Sequence, residues 1–189
     1  MLQLAQALIE LEKCLLKYNK VNLDRLQPPL EHSILEDILA KNNCDDHNIR
    51  LLYQWRNGVP FDDHTTQVFG FGCAPLNIHS VFVYQEKFPI SLPDYLLPIF
   101  AFGNDEVLLY NKSKGPDHGR IHLFSVSLLS IDPPLSYYDS LQSMLLTTIE
   151  LYQKGGIVFD PNNDRLDLDS ELIAKITIEN NPNSSFYKR

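Results

Sequence analysis

The sequence predicts a single α+β domain, in which a central, mainly antiparallel sheet has helices packed against it. Apolar residues recur at helical spacing up to residue 58 and again after residue 139. The block between them contains short apolar runs separated by turn residues, and consecutive strands with short connections favour antiparallel pairing. A chain of 189 residues is long enough for one substantial core and short for two domains.

Three helices are predicted in the first third of the chain. An amphipathic helix covers residues 2–17, and residues 19–27 form a connector. A second helix follows Pro29 and fades at Asn42, since proline suits a helix start and the apolar spacing stops at the asparagine.

The third helix contains the only tryptophan of the chain, Trp55. Asp45 and Asp46 are placed to cap its N-terminus. We expect Asn57-Gly58 to end it, because this pair adopts the left-handed backbone conformation of helix ends. A tryptophan can bury a very large apolar area. We therefore expect Trp55 to anchor the core and to carry no chemistry.

The middle of the chain predicts extended structure. Phe69-Gly70-Phe71-Gly72 alternates aromatic residues with glycine, which suits an extended segment close to neighbouring backbone. Asn77 could cap a short helix over residues 76–81. Strands are expected at residues 96–102, 106–110 and 119–126.

Two further helices are predicted at the end of the chain. Helical spacing returns at residue 139 and stops at Gly155-Gly156. A last helix over residues 169–179 begins on an aspartate cap. The polar segment 180–189 is expected to fray.

Charge and cysteine content narrow the class of protein. The net charge of −8 argues against binding to nucleic acid and permits attraction to a basic protein. Three cysteines without framework spacing indicate reduced thiols. The first helix lacks the basic start of a signal peptide, and no apolar run is long enough to span a bilayer. We expect a cytoplasmic protein without membrane contact; a homo-oligomer stays open.

The segment from Asp160 to Glu171 partly matches an EF-hand calcium loop. Arg165 stands where that loop needs glycine, and Asp167 stands at a normally apolar position. We therefore expect a solvated acidic loop before a capped helix, not a calcium site.

Motifs of catalysis are missing from the sequence. The six histidines form neither HxH nor HExxH, and no cysteine joins them at zinc-ligand spacing. No P-loop, GxSxG or GxGxxG motif is present. The sequence predicts a non-enzymatic protein, with no cofactor, no metal and no catalytic residue.

Acidic residues cluster at three places in the chain, and two interpretations stay open. The carboxylates could form a solvated surface that maintains solubility, or an acidic face that steers a basic protein partner. The second interpretation places aromatic anchors at the centre of the face. Its candidate residues are Phe61, Asp62, Asp63, Asp105, Glu106 and Tyr110, together with the segment 160–171.

The order of these motifs resembles the SUKH superfamily. Leu52-Tyr53-Gln54-Trp55-Arg56-Asn57-Gly58 resembles the family's Leu-Tyr-x-Trp-x-Asn-Gly signature, of which Leu52, Tyr53, Trp55, Asn57 and Gly58 are the matching residues. The later segments that resemble family motifs are Phe69–Gly72 with Pro75-Leu76, Leu97–Ile99, Tyr138–Leu141 and Ile173–Pro182.

The resemblance divides the chain into an N-terminal helix and connector (1–27), a SUKH-like α+β domain (28–182) and a flexible tail (183–189). The sequence departs from the family pattern at Phe102–Glu106, where it has a single glycine in place of a glycine-rich turn. Any binding role of that turn therefore does not transfer to this chain.

The resemblance implies an interaction protein. SUKH members include bacterial immunity proteins that bind and block a cognate toxin, often a nuclease, and fungal regulators of cell-wall synthesis. We expect an immunity protein that neutralises its toxin by direct binding. The alternatives are a regulatory scaffold in cell-wall or signalling control, and a small-molecule or enzyme domain that uses a cleft between the sheet and residues 76–85.

Overall fold

The computed structural model of the protein describes residues 3–60, 62–63, 65–70, 73–87, 92–102, 106–125 and 135–188. Within these ranges the helices are α1 (Leu4–Tyr18), α2 (Lys20–Arg25), α3 (His32–Lys41), α4 (His47–Trp55), α5 (Ile78–Lys87), α6 (Leu141–Lys154) and α7 (Ser170–Asn180). The strands are β1 (Ala74–Pro75), β2 (Leu96–Phe102), β3 (Glu106–Asn111), β4 (Ile121–Ser125), β5 (Leu135–Tyr138), β6 (Ile157–Asp160) and β7 (Arg165–Leu168).

A five-stranded antiparallel sheet stands at the centre of the molecule. Its strands follow chain order from β1 to β5, and β6 and β7 form a separate two-stranded sheet. Each neighbouring pair in the central sheet is antiparallel, as short connections between consecutive strands require. The predicted α+β class with one mainly antiparallel sheet is confirmed.

Both faces of the central sheet carry buried apolar residues. Leu97, Leu108 and Ile121 belong to the main core, which they share with the helices. Leu96, Leu109 and their neighbours on the opposite face form a smaller cluster with Leu92. Successive residues of a strand point to opposite faces, so apolar residues at adjacent positions need cover on both sides.

The N-terminal helix α1 is part of the main core. It packs along α6, and Leu8, Leu11 and Leu15 are buried in the shared cluster. Residues 19–27, predicted as a connector, contain the short helix α2. That prediction was wrong because six residues are too few to show helical periodicity. So short a helix is stabilised by its contacts with residues distant in sequence.

The tryptophan helix α4 ends earlier than its sequence suggests. Its last residue is Trp55, and Arg56 already has an extended backbone. Trp55 is nearly buried at 9% exposure, and its Nε1 donates to the Glu12 carboxylate of α1 at 2.9 Å. The predicted role of Trp55 as a core anchor is confirmed, with a hydrogen bond that ties α4 to α1.

The sequence predicted that Gly58 ends α4, and this prediction was wrong. Gly58 instead allows its own backbone to contact the backbone of Pro75 and Leu76. It has φ of +66°, and a Cβ on it would lie 2.3 Å from the Pro75 carbonyl oxygen. Only glycine fits such a contact. The approach lets Val59 donate to the Pro75 carbonyl at 2.8 Å, and Asn77 donate to the Val59 carbonyl at 2.7 Å.

We call the backbone contact between Gly58 and Pro75-Leu76 the crossing. The other signature residues surround it. The Tyr53 hydroxyl donates to the Leu76 carbonyl at 2.9 Å, and Leu52 is fully buried. Asn57 donates to the Gln27 side chain and accepts from the backbone N–H of Ile78, the first residue of α5. The Leu52–Gly58 segment therefore joins the helical layer to the sheet at β1.

Several elements differ from their sequence predictions. Phe69 and Gly70 do not lie in a strand, since β1 begins at Ala74; Phe71 and Gly72 lie outside the described residues. The predicted acidic loop after Asp160 is the turn of the β6–β7 hairpin. Strand β5 was not predicted either, although Ser140 caps α6 directly after it.

The C-terminal tail packs on the sheet, and the prediction that it frays was wrong for residues 183–188. The backbone N–H groups of Ser136 and Ser185 each donate to the other residue's hydroxyl at 2.9 Å. The Tyr187 hydroxyl donates to that of Tyr137 at 2.7 Å. These contacts cover the outer edge of β5, where backbone groups would otherwise lack partners.

We predict that Gly58→Ala destabilises the protein by about 3 kcal/mol or more, because it adds a steric clash to the cost of a left-handed backbone. Gly155→Ala is the matched control. Gly155 also has positive φ, at +77°, but a Cβ there would meet nothing within 4 Å. The control should cost only about 1–2 kcal/mol. Urea unfolding of both variants measures the difference, and equal losses would contradict the close approach.

Candidate functional site

The predicted anchor Tyr110 is buried and cannot serve as an exposed contact. It is fully inaccessible on β3, and its hydroxyl lies 3.0 Å from each carboxylate oxygen of Asp46. Burial and the negative charge of Asp46 raise the pKa of this hydroxyl above its ordinary value. The prediction failed because a tyrosine in an apolar strand points as easily to the core as to solvent.

Asp46 is the hub of a buried polar network. It caps α4 by accepting the N–H groups of Asn48 at 2.9 Å and Ile49 at 3.1 Å. The Nε2 atom of His118, in the β3–β4 connection, lies 2.8 Å from the same carboxylate. With Tyr110, these contacts connect α4, β3 and the β3–β4 connection, so the network is structural.

The remaining predicted contact residues do not share one place. Glu106 is half-buried in β3, opposite Phe102 and Ser125. Asp62 is exposed, whereas Asp63 is half-buried. Phe61 and Asp105 lie outside the described residues.

Asp63 orders its own loop. Its carboxylate accepts hydrogen bonds from the backbone N–H groups and the hydroxyls of Thr65 and Thr66. Burial alone would raise the pKa of Asp63, but these bonds hold it below its ordinary value. The carboxylate is therefore charged at neutral pH and fixed in position.

Arg25 brings two of the predicted acidic clusters together. Its guanidinium donates to Asp164, at the tip of the β6–β7 hairpin, at 2.7 Å. This bond raises the pKa of Arg25, and the charge of Asp63 raises it further. We define the acidic surface as Asp24, Asp62, Asp63, Asp160 and Asp164.

Buried polar contacts hold the acidic surface in place. The backbone N–H of Gln67 donates to Asn22 of α2 at 2.9 Å. The side chain of Gln67 accepts from the backbone N–H of Leu166 in β7 at 3.0 Å. Asn19 donates to the Gln67 carbonyl at 2.8 Å. The α1–α2 junction, the loop after Asp63 and the hairpin are therefore linked through one residue.

These linking residues were missed by the sequence analysis. Asn22 is nearly inaccessible, at 1% exposure, yet asparagine in a polar stretch looks like a surface residue. Gln67 and Leu166 are far apart in sequence and carry no shared motif. The sequence signal that points to them is weak. Apolar residues at every second position flank a polar turn and predict a hairpin; they are Ile157, Phe159, Leu166 and Leu168.

The structure brings no metal-ligating cluster together in the part of the chain that it describes. No group of three His, Cys, Asp or Glu side chains is arranged to hold an ion there. Asp160, the first position of the calcium-loop match, accepts instead from the N–H of Asn162 and the side chain of Asn163. These bonds close the hairpin turn.

A cleft of about 590 Å³ lies beside α5, near the place where the sequence suggested one. Glu86, Asp94 and Lys112 line it together with Phe82 and Gln85. Among the described residues no ion pair connects these three charged groups.

Comparison with known proteins identifies no family for this chain. Neither a protein-family model nor a curated protein matches the chain. In the described parts of the chain, every helix falls short of the length or the apolar character needed to cross a membrane.

All three cysteines are free and buried. Burial raises the pKa of the Cys14 and Cys44 thiols to about 11, and that of Cys73 to about 12. The thiolate is the nucleophilic form, so none of these residues is suited to covalent catalysis at neutral pH.

We predict that a thiol-reactive disulfide reagent modifies none of the three cysteines rapidly in the folded protein and all of them after unfolding in guanidinium. Release of the coloured thiol, followed with and without denaturant, measures this. Fast native-state reaction of one thiol would contradict its burial.

We predict that Asp46→Ala costs about 3 kcal/mol of stability, because it removes a helix cap and leaves buried partners unpaired. Asp169→Ala is the matched control. Asp169 also caps a helix through two backbone N–H groups, but it is exposed. Its loss should cost about 1 kcal/mol. Chemical unfolding compares the two, and similar losses would show that the buried network contributes nothing beyond capping.

Proposed function

We propose that this chain is a non-enzymatic protein-binding domain whose acidic surface binds a basic region of a partner protein. The observation that carries the proposal is the assembly of Asp63, in the 62–63 loop, and Asp164, in the β6–β7 hairpin, near Arg25 of α2. Gln67 links the same three elements through Asn22 and Leu166. Residues far apart in sequence are thereby fixed on one surface, as a specific docking site requires.

The charge of this surface favours a cationic partner. Its five carboxylates outnumber the cationic side chains of the same elements, which are Lys20, Arg25 and Arg165. Asp62 is exposed, and 59% of the Asp24 side chain and 48% of the Asp164 side chain are accessible. The net charge of −8 adds a long-range attraction that speeds encounter with a basic protein.

An exposed apolar residue lies within the same surface. Val21 of α2 is 43% exposed and stands between Lys20 and Asn22. A docking surface needs some apolar area that is removed from water on binding, in addition to charge that selects the partner. Val21 supplies this on a helix that the Asn22–Gln67 hydrogen bond holds in place.

The resemblance to the SUKH superfamily supports a particular kind of partner. It favours an immunity protein that acts in the cytoplasm and neutralises a cognate toxin by direct binding. A nuclease toxin has a basic surface for the phosphates of its substrate. An acidic protein bound to that surface excludes nucleic acid, so inhibition needs no catalytic group.

Co-expression with the product of the gene beside its own tests this function. An immunity protein restores the growth of cells that produce the toxin and forms a stable complex with it. A neighbouring toxin that kills regardless of this chain, with no complex formed, would contradict the proposal. Capture of several cellular partners and no toxin would favour the regulatory scaffold.

We predict that neutralising Asp24 and Asp62 together, as Asn, slows association with the partner several-fold and weakens its salt dependence. Asp37→Asn with Asp94→Asn is the matched control, because these exposed carboxylates lie outside the acidic surface and the charge change is the same. Binding kinetics at low and high salt measure both variants. Equal effects would show that net charge matters and this surface does not.

A further inference from the structure

A second cleft, on the face of the sheet opposite the main core, is built from polar side chains. Its volume is about 480 Å³, within the range of small-molecule sites. Strands β3, β4 and β5 form its floor, and the C-terminal tail forms one wall through Asn183 and Ser185. It shares no lining residue with the acidic surface.

Three of the polar side chains in the cleft are more than nine-tenths buried. They are Asn111, His122 and Ser136, with exposures of 5%, 7% and 3%. Placing polar groups in a sheet interior costs free energy unless they find partners. Ser136 finds its partners in Ser184 and Ser185 of the tail, and His122 also has an interaction partner. The hydrogen-bonding capacity that remains for a polar ligand belongs to the amide of Asn111.

Asn111 directs an unused donor to the cleft. Its Oδ1 accepts from the backbone N–H of Ser113 at 2.9 Å and from the Ser113 hydroxyl at 2.6 Å, which fixes the orientation of the amide. Among the described residues nothing accepts a hydrogen bond from its Nδ2 group. A ligand oxygen would satisfy this donor.

Asn183 supplies the complementary acceptor. Its backbone N–H and its side-chain Nδ2 both donate to Asp139 at 3.1 Å, which orients the amide. Within the described part of the chain, no group donates to its Oδ1. The cleft therefore offers both a free donor and a free acceptor, as a hydroxyl group requires.

Arg120 and Asp117, which carry opposite charges, form an ion pair in the cleft, and this pairing favours an uncharged ligand over a strongly charged one. Arg120 lies 3.2 Å from Asp117, and both line the cleft. Tyr95 is 43% exposed at the same cleft, and no aliphatic residue is among the described lining. Its ring offers one flat apolar face beside an otherwise polar surface.

From these features we infer that the cleft binds a small, uncharged, polyhydroxylated molecule of the size of a monosaccharide. The ring hydroxyls, each a donor and an acceptor, pair with the amides of Asn111 and Asn183, and the C–H face of the ring packs on Tyr95. The site belongs to this domain whether or not the acidic surface binds a protein.

Titration of the isotope-labelled protein with D-glucose, D-galactose and N-acetyl-D-glucosamine tests the inference by NMR. At least one of the three should shift the side-chain amide signals of Asn111 and the backbone signals of Ser113 and Ser185 at millimolar concentration. No shift with any of the sugars, or shifts confined to other surfaces, would overturn the inference. Tighter binding of acetate or phosphate at the same signals would overturn the ligand class.

Two variants of Tyr95 test whether its aromatic ring packs on the sugar. Tyr95→Ala should weaken sugar binding about tenfold, because the apolar platform is lost. Tyr95→Phe keeps the ring and should bind within about twofold of the parent protein. Thermal unfolding checks that both variants are folded. Equal binding by the Ala variant and the parent would show that the ring is not part of a site.

Discussion

The contact between the backbones of Gly58 and Pro75-Leu76 is the constraint on which the rest of the structure depends. It brings the end of the helical layer to the first strand of the sheet, at a separation that no side chain tolerates. Val59 and Tyr53 donate hydrogen bonds to Pro75 and Leu76 and thereby fix β1. Asn57 accepts the backbone N–H of Ile78 and fixes the start of α5. The Leu-Tyr-x-Trp-x-Asn-Gly segment therefore holds the two layers together, and the side chains of Leu52, Tyr53 and Trp55 are buried in the core.

Both candidate binding surfaces lie on elements away from this crossing. The acidic surface depends on α2 and the β6–β7 hairpin, which Arg25 and Gln67 connect. The polar cleft depends on β3–β5 and the tail, which Ser136 and Ser185 connect. Substitutions at the exposed positions of either surface leave the crossing intact, so a chain with this frame could change its partner without changing its fold.

The predictable parts of the structure were those with strong local periodicity. Strand β2 was predicted at its observed bounds, and α4 and α7 begin on the aspartate caps expected for them. The missed elements are α2, β5 and the two strands of the hairpin. Each has six residues or fewer and depends on distant contacts. For the same reason the carboxylates of the 62–63 loop and the hairpin could be named from the sequence. Asp24, the assembly of Asp63 and Asp164 near Arg25 and the burial of Tyr110 could not.

Native-state hydrogen exchange at the amides of Val59, Leu76 and Asn77 tests the central claim most directly. If the crossing at Gly58 holds the helical layer to the sheet, these amides can exchange only when the whole domain unfolds. Their opening free energies should then equal the global unfolding free energy from denaturant titration. Substantially lower values, with the amides of β3 still fully protected, would show that the crossing opens by itself and that the fold does not depend on it.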